Sequence, residues 1–215
     1  MNKRASKKLL DELEFLFERY SRELRVITQP YTLAKVQKHV KDYRYHPDDP
    51  LVCETHMEHI GSLPIAATAL YPYLDDRAVD LGRALTMLAI HDIGELITGD
   101  QLTFTKKTGS KAAERAAALR LLHPSLKETY LEIDTLATPS AKFAKAVDKL
   151  VPDFIDYLTR PDLTIWRYKH SCGVGPDGII DLIVKHKRPY MLWNPFMTQF
   201  HEFLMSELAR KLKKK

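Results

Sequence analysis

Four side chains have the chemistry of a cation site. His91 and Asp92 close the apolar run Leu85-Thr86-Met87-Leu88-Ala89-Ile90. An adjacent imidazole and carboxylate at the end of a buried segment are costly unless paired or bound to a metal. His59 stands one helical pattern earlier, beside Glu58, and Asp148 lies in the mostly apolar Ala146-Val147-Asp148-Lys149-Leu150. Two imidazoles and two carboxylates make a mixed nitrogen and oxygen donor set. Such a set suits Mn, Co, Fe, Mg or Zn, and leaves positions open for water and phosphate. Any one of these residues alone reads more simply as a hydrogen-bonded core or surface group. The four together read differently, because the His-Asp pair falls where burial is expensive. Glu95 follows His91 by four residues, which predicts a shared helix face.

The elements that must position these groups read as helices. Leu9, Leu10, Leu13, Leu16, Phe17, Tyr20 and Leu24 recur at spacings of three and four, predicting a first helix near 6–26. Leu33, Val36 and Val40 mark a second, ended by His46-Pro47-Asp48-Asp49-Pro50. A third starts between Cys53 and Glu58 and runs to about Leu74, with Pro64 predicting a kink or a late start. Asp75 and Asp76 precede a fourth, about 76–96, apolar on most faces and therefore central. Thr98-Gly99-Asp100 breaks it, and 101–110 reads as a polar loop. Helices follow at 111–122, 125–136, 139–159, 179–187 and 196–212. The stretch Asp162 to Gly178 reads as irregular. Leu163-Thr164-Ile165-Trp166 is the best strand pattern and is short, so the fold class is all-α.

The 215 residues suit one domain, or one domain with an appendage, and are enough to bury a core without staples. Hydrophobic residues at 45% and charged residues at 28% exclude disorder as the main state. Cys53 and Cys172 are too few for a disulfide framework, which fits reduced thiols in a cytoplasmic protein. The basic start at Lys3, Arg4, Lys7 and Lys8 is followed by carboxylates rather than an unbroken apolar segment, so no signal peptide is expected. No apolar run is long enough for a transmembrane span. The net charge of +5 owes much to Lys211, Lys213, Lys214 and Lys215, which read as a solubilising tail. That balance is only weak evidence for nucleic acid, which is not expected as a partner, and fits an anionic small molecule equally well.

Three segments together resemble a known family. Glu54-Thr55-His56-Met57-Glu58-His59 is similar to the opening motif of HD-domain metal-dependent phosphohydrolases, Glu-Thr and then, two residues on, Glu-His. His91-Asp92-Ile93-Gly94-Glu95-Leu96-Ile97-Thr98-Gly99-Asp100 resembles the HDxxExxxGD segment of their 5′-deoxynucleotidase branch, and Val147-Asp148-Lys149-Leu150 its closing Asp-Lys-Leu. The motifs stand in the expected order and the resemblance covers about residues 33–160. It implies an HD-domain helical bundle with extra N- and C-terminal helices, divided into a helical extension at 1–30 and an HD domain with a C-terminal helical segment at 31–215.

The resemblance further implies His59, His91, Asp92 and Asp148 as ligands of a divalent metal ion. His56 precedes His59 by nearly one turn and could share its side. The Glu-His pairing favours His59. The resemblance makes Glu95 the group that moves protons in hydrolysis of a phosphate ester. It makes Asp100 a contact to the substrate sugar or to the attacking water. It makes Arg44 the guanidinium that grips the phosphate. Arg44-Tyr45 departs from the Arg-Trp of many relatives, and Pro64 is a second departure; neither removes a ligand. The implied activity is removal of the 5′-phosphate of (deoxy)nucleoside monophosphates. Two alternatives keep the same site or fold: a deoxynucleoside triphosphate triphosphohydrolase or other phosphate-ester hydrolase, and a non-catalytic binding protein. Relatives often pair through helices, so a homodimer stays open.

Other patterns read as structural. Lys106, Lys107 and Lys111 fit a solvated loop, and Glu114 a solvated helix residue. Gly173 to Gly178 matches GxGxxG, but no βαβ unit surrounds it and Pro176 removes one amide. No P-loop and no serine-hydrolase elbow occur.

Overall fold

The computed structural model describes residues 3–11, 13–14, 56–99, 104, 109–158 and 161–213. Every regular element among them is helical. The order is α1 (3–11, with 13–14 also helical), α2 (His56–Leu70), α3 (Leu81–Ile90), α4 (Glu95–Thr98), α5 (Ser110–Leu121) and α6 (Pro124–Thr135). Then come α7 (Pro139–Leu158), α8 (Pro161–Cys172), α9 (Pro176–Lys187) and α10 (Pro195–Leu212). Single 3-10 turns at Tyr71–Tyr73 and Arg188–Tyr190 follow α2 and α9. The all-α expectation holds. The second expected helix, around Leu33 to Val40, lies outside the described residues, as does most of the first.

The helix α7 is the axis of the fold. It packs against α2, α3, α6, α9 and α10. Its inner face carries Phe143, Val147, Leu150, Val151 and Phe154, all at most 2% exposed. Leu63, Ala67 and Leu70 of α2 and Met87 and Leu88 of α3 join the same core, with Phe200 and Leu204 of α10. Leu9, Leu10 and Leu13 are buried in it too, so the N-terminal segment packs on the body. No helix among the described residues is long and apolar enough to cross a membrane.

Caps explain where the helices start. The fourth expected helix begins at Leu81, not 76, because Asp80 is the residue whose carboxylate accepts the Arg83 N–H at 2.9 Å. Asp76 instead accepts the Ala78 N–H at 2.9 Å and makes a local turn. Asn194 caps α10 by accepting from Phe196 and Met197, with Pro195 in the first turn. The helix α2 is already formed at His56, within the expected start between Cys53 and Glu58, and runs through Pro64, so the late start is not found.

The region 162–178 corrects the sequence reading, because 161–172 is helix. Pro161 opens α8 and Asp162 sits in its first turn, both favourable there. The β-branched Thr164 and Ile165 weigh little against packing. Thr164 and Tyr168, one turn apart, are buried at 1% and 4%, and the Tyr168 hydroxyl donates to Asp156 Oδ2 at 2.9 Å. Gly173, at φ +67, then ends the helix in the left-handed region where a side chain would be strained.

Candidate metal centre

Three helices bring the four candidate donors together. The first turn of α2 supplies His59, the residues just past α3 supply His91 and Asp92, and the middle of α7 supplies Asp148. One donor atom from each lies within 4.8 Å of all the others. His59 Nε2 is 3.5 Å from Asp92 Oδ2 and 3.5 Å from Asp148 Oδ1. His91 Nε2 is 3.0 Å and 3.3 Å from the same two oxygens. The His56 side chain lies outside the described part of the chain.

The His91 ring is held in one sense. Its Nδ1 lies 2.9 Å from the Leu88 carbonyl, which can only accept, so Nδ1 carries the proton and donates. The other nitrogen, Nε2, points toward Asp92 and Asp148 and can ligate a cation once its proton is displaced. Nε2 is buried and makes no hydrogen bond of proper geometry, despite the two nearby carboxylates. A buried nitrogen left in this state beside two acids fits a bound cation better than a closed hydrogen-bond network. The residues present therefore fit a divalent ion by donor type, burial and convergence.

The electrostatics follow. Burial alone would lower the pKa of His91, but the Asp92 and Asp148 carboxylates outweigh it and raise it from 6.5 to about 9. Burial would raise Asp92, but His91 outweighs it and brings the carboxyl to about 2. Asp148 is held well below the usual range by Lys145 and Lys149 against its own burial. Burial lowers Lys149, whereas at Lys145 the Asp148 and Asp92 charges overcome burial and raise it.

A pH prediction comes from His91. Its pKa is raised on folding, so its contribution to stability is complete below about 6.5 and is lost as pH rises through about 9. Protein stripped of metal should therefore unfold at lower denaturant as pH climbs across that window. A cation must displace the same proton, so metal affinity should rise with pH over the same range. Denaturant titrations and Mn(II) titrations between pH 6 and 10 check both halves.

Glu95 reaches the cluster by a different route from the one its spacing suggested. The chain does not continue as one helix past Ile90. Residues 91–94 form tightened turns, with the Ile93 amide donating to the Ile90 carbonyl at 3.2 Å and the Glu95 amide to the Asp92 carbonyl at 2.9 Å. Glu95 then opens α4, buried at 8%, and a carboxylate oxygen of Asp92, Glu95 and Glu114 lies within 4.8 Å of each other. Glu114, expected as a solvated residue, is thus a third acid at the mouth. The signal for it was Gly94. A Cβ at Gly94 would stand 2.3 Å from the Glu114 carbonyl oxygen, so the absence of a side chain lets α5 approach.

Gly94→Ala should consequently force α4 and α5 apart. The clashing atom is backbone and cannot rotate away. A loss of ~1–3 kcal/mol in unfolding free energy is expected, as for overpacking. Urea unfolding of the variant beside the wild type checks it.

Asp100, Arg44, Lys106 and Lys107 lie outside the described residues. Lys111 is on α5 and points to α6, with Nζ 3.4 Å from Asp134 Oδ1. Gly175 and Pro176 begin α9 directly after α8, with no strand before them.

The family described as HD domain matches residues 38–162, more than half the chain and including every donor above. Among solved structures, a predicted metal-dependent phosphohydrolase from Magnetospirillum magnetotacticum MS-1 superposes with a TM-score of 0.56 at 26% identity. The match covers 87% of this chain and 96% of that one. No curated protein matches. Donor set, burial and family agree on a divalent metal ion as the cofactor.

Proposed function

The chain belongs to the HD-domain family, and from that premise we propose that it is a metal-dependent phosphohydrolase acting on the 5′-phosphate of (deoxy)nucleoside monophosphates. The observation that carries the hydrolase reading is the convergence of His59, His91, Asp92 and Asp148 with Glu95 alongside. The similar solved protein bears the description of a metal-dependent phosphohydrolase, which supports the same class for this chain. The nucleotide preference rests on the HDxxExxxGD and Asp-Lys-Leu segments.

In this reading His59, His91, Asp92 and Asp148 hold the divalent ion. Once bound, such an ion supplies Lewis acidity that polarises a phosphoryl oxygen and eases loss of a proton from water. The remaining work belongs to the chain. Leu88 fixes the His91 tautomer so that Nε2 is free to ligate. Glu95, buried beside Asp92, takes the proton of the attacking water and returns one to the leaving 5′-oxygen. Arg44 offsets phosphate charge with a two-pronged guanidinium, and Asp100 holds the sugar or the water, as the resemblance implies.

The test is product analysis. Purified protein is incubated with Mn, Co or Mg salts and a panel of nucleoside mono-, di- and triphosphates. Metal-dependent release of inorganic phosphate from deoxynucleoside monophosphates is the expected result. Tripolyphosphate from triphosphates alone would replace the monophosphate reading with the triphosphohydrolase. No conversion of any nucleotide, with metal bound, would overturn nucleotide hydrolysis.

A further inference from the structure

The helix α7 carries two lysines that the hydrolytic scheme does not use. Lys145 and Lys149 are four residues apart and so lie on one face, where like charges ordinarily repel. Both are mostly buried, with side chains 25% and 17% exposed. Few helices bury two ammonium groups side by side without an anion between them. Here the anion is Asp148. Lys145 Nζ is 2.7 Å and Lys149 Nζ 3.1 Å from Asp148 Oδ2. The other oxygen, Oδ1, is the one that faces His59 and His91 at 3.5 Å and 3.3 Å.

We propose that Lys145 and Lys149 are positioning residues: they clamp Oδ2 of Asp148 so that Oδ1 stays turned toward His59 and His91, where it would help to hold a divalent ion. The inference rests on the metal-centre reading above. The division of labour between the two oxygens is the support. A carboxylate turned about its Cβ–Cγ bond would offer either oxygen or both, and the two ammonium groups pair with Oδ2 as ions at 2.7 Å and 3.1 Å, without a hydrogen bond of regular geometry, and hold it on their side.

A cost opposes the clamp, since an ammonium near a bound cation repels it. Orientation outweighs this repulsion if the lysines serve the metal. Removing one should then weaken binding, not tighten it. Partners that hold a ligand from behind typically contribute 10–100-fold in metal affinity.

The experiment strips the full-length protein of metal and titrates it with Mn(II) by calorimetry. Lys145→Met and Lys149→Met should each bind Mn(II) about 10–100-fold more weakly than wild type. Lys→Arg at either position, which keeps charge and donors, should recover most of the loss. In an Asp148→Asn background the same Met substitutions should have no further effect, because the lysines act through Asp148; a purely structural role would not vanish there. Circular dichroism confirms folding, and Lys→Gln replaces any Met variant that fails it, with the loss expected to exceed threefold. Unchanged or tighter Mn(II) binding by the Met or Gln variants, or an undiminished effect in the Asn background, overturns the clamp. Absence of Mn(II) binding by the wild type overturns the metal-centre reading itself, and the clamp with it.

Discussion

Asp92→Ala should abolish metal retention and hydrolysis together. Its Oδ2 lies 3.0 Å from His91 Nε2 and 3.5 Å from His59 Nε2. Alanine removes one of four donors and half of the carboxylate charge in that set. Partners that merely hold a ligand contribute ~10–100-fold, so loss of a donor itself should exceed ~100-fold in affinity. Turnover should fall to background, since the Lewis acidity leaves with the ion. The fold should survive. Asp92 stands in a turn between helices and its side chain is 16% exposed. The substitution also removes one acid from the crowd formed with Glu95 and Glu114, a relief that offsets the lost pairing with His91. Elemental analysis of the purified variant, Mn(II) titration and phosphate release with saturating Mn(II) decide the matter. Wild-type turnover in Asp92→Ala would refute the ligand assignment.

The donors were legible because their cost is legible. A His-Asp pair at the end of Leu85 to Ile90 has no cheap structural reason, and the structure does bring it beside His59 and Asp148. The all-α class was legible because period three and four dominates the chain. What failed was whatever depends on partners distant in sequence. The helix at Pro161–Cys172 carries a short β-branched run, and only the seat of Thr164 and Tyr168 against Asp156 makes it helical. The start of α3 turned on which of three aspartates could cap it. Glu114 gave no local sign, because its place depends on an approach that Gly94 permits from another element. Lys145 drew no reading from the sequence, and Lys149 entered only as the middle of the Asp-Lys-Leu segment. Their meaning lies in the side of α7 that faces inward.

Glu95→Gln separates the chemistry from the metal. The change keeps size and hydrogen-bonding reach but removes the ability to carry a proton between water and leaving group. Transfer by a positioned acid or base contributes typically ~10²–10⁴-fold, so kcat should drop by that factor. Metal content should stay near that of the wild type, because Glu95 is not among the four converging donors. KM should move little, since the side chain acts on the reacting atoms rather than on the body of the substrate. The contrast with Asp92→Ala is therefore qualitative: one variant is empty and inactive, the other loaded and slow. Steady-state kinetics at saturating Mn(II), with metal content measured on the same sample, reads both quantities. Loss of the metal along with activity would make Glu95 a ligand and leave the proton transfer to another group. Unchanged kcat would remove it from the mechanism altogether. The short α4 gives the reason to expect neither. The Gly99 amide donates to the Glu95 carbonyl at 2.8 Å, which closes the turn and fixes the backbone of Glu95 independently of its carboxylate. The side chain can thus change its chemistry without changing its place.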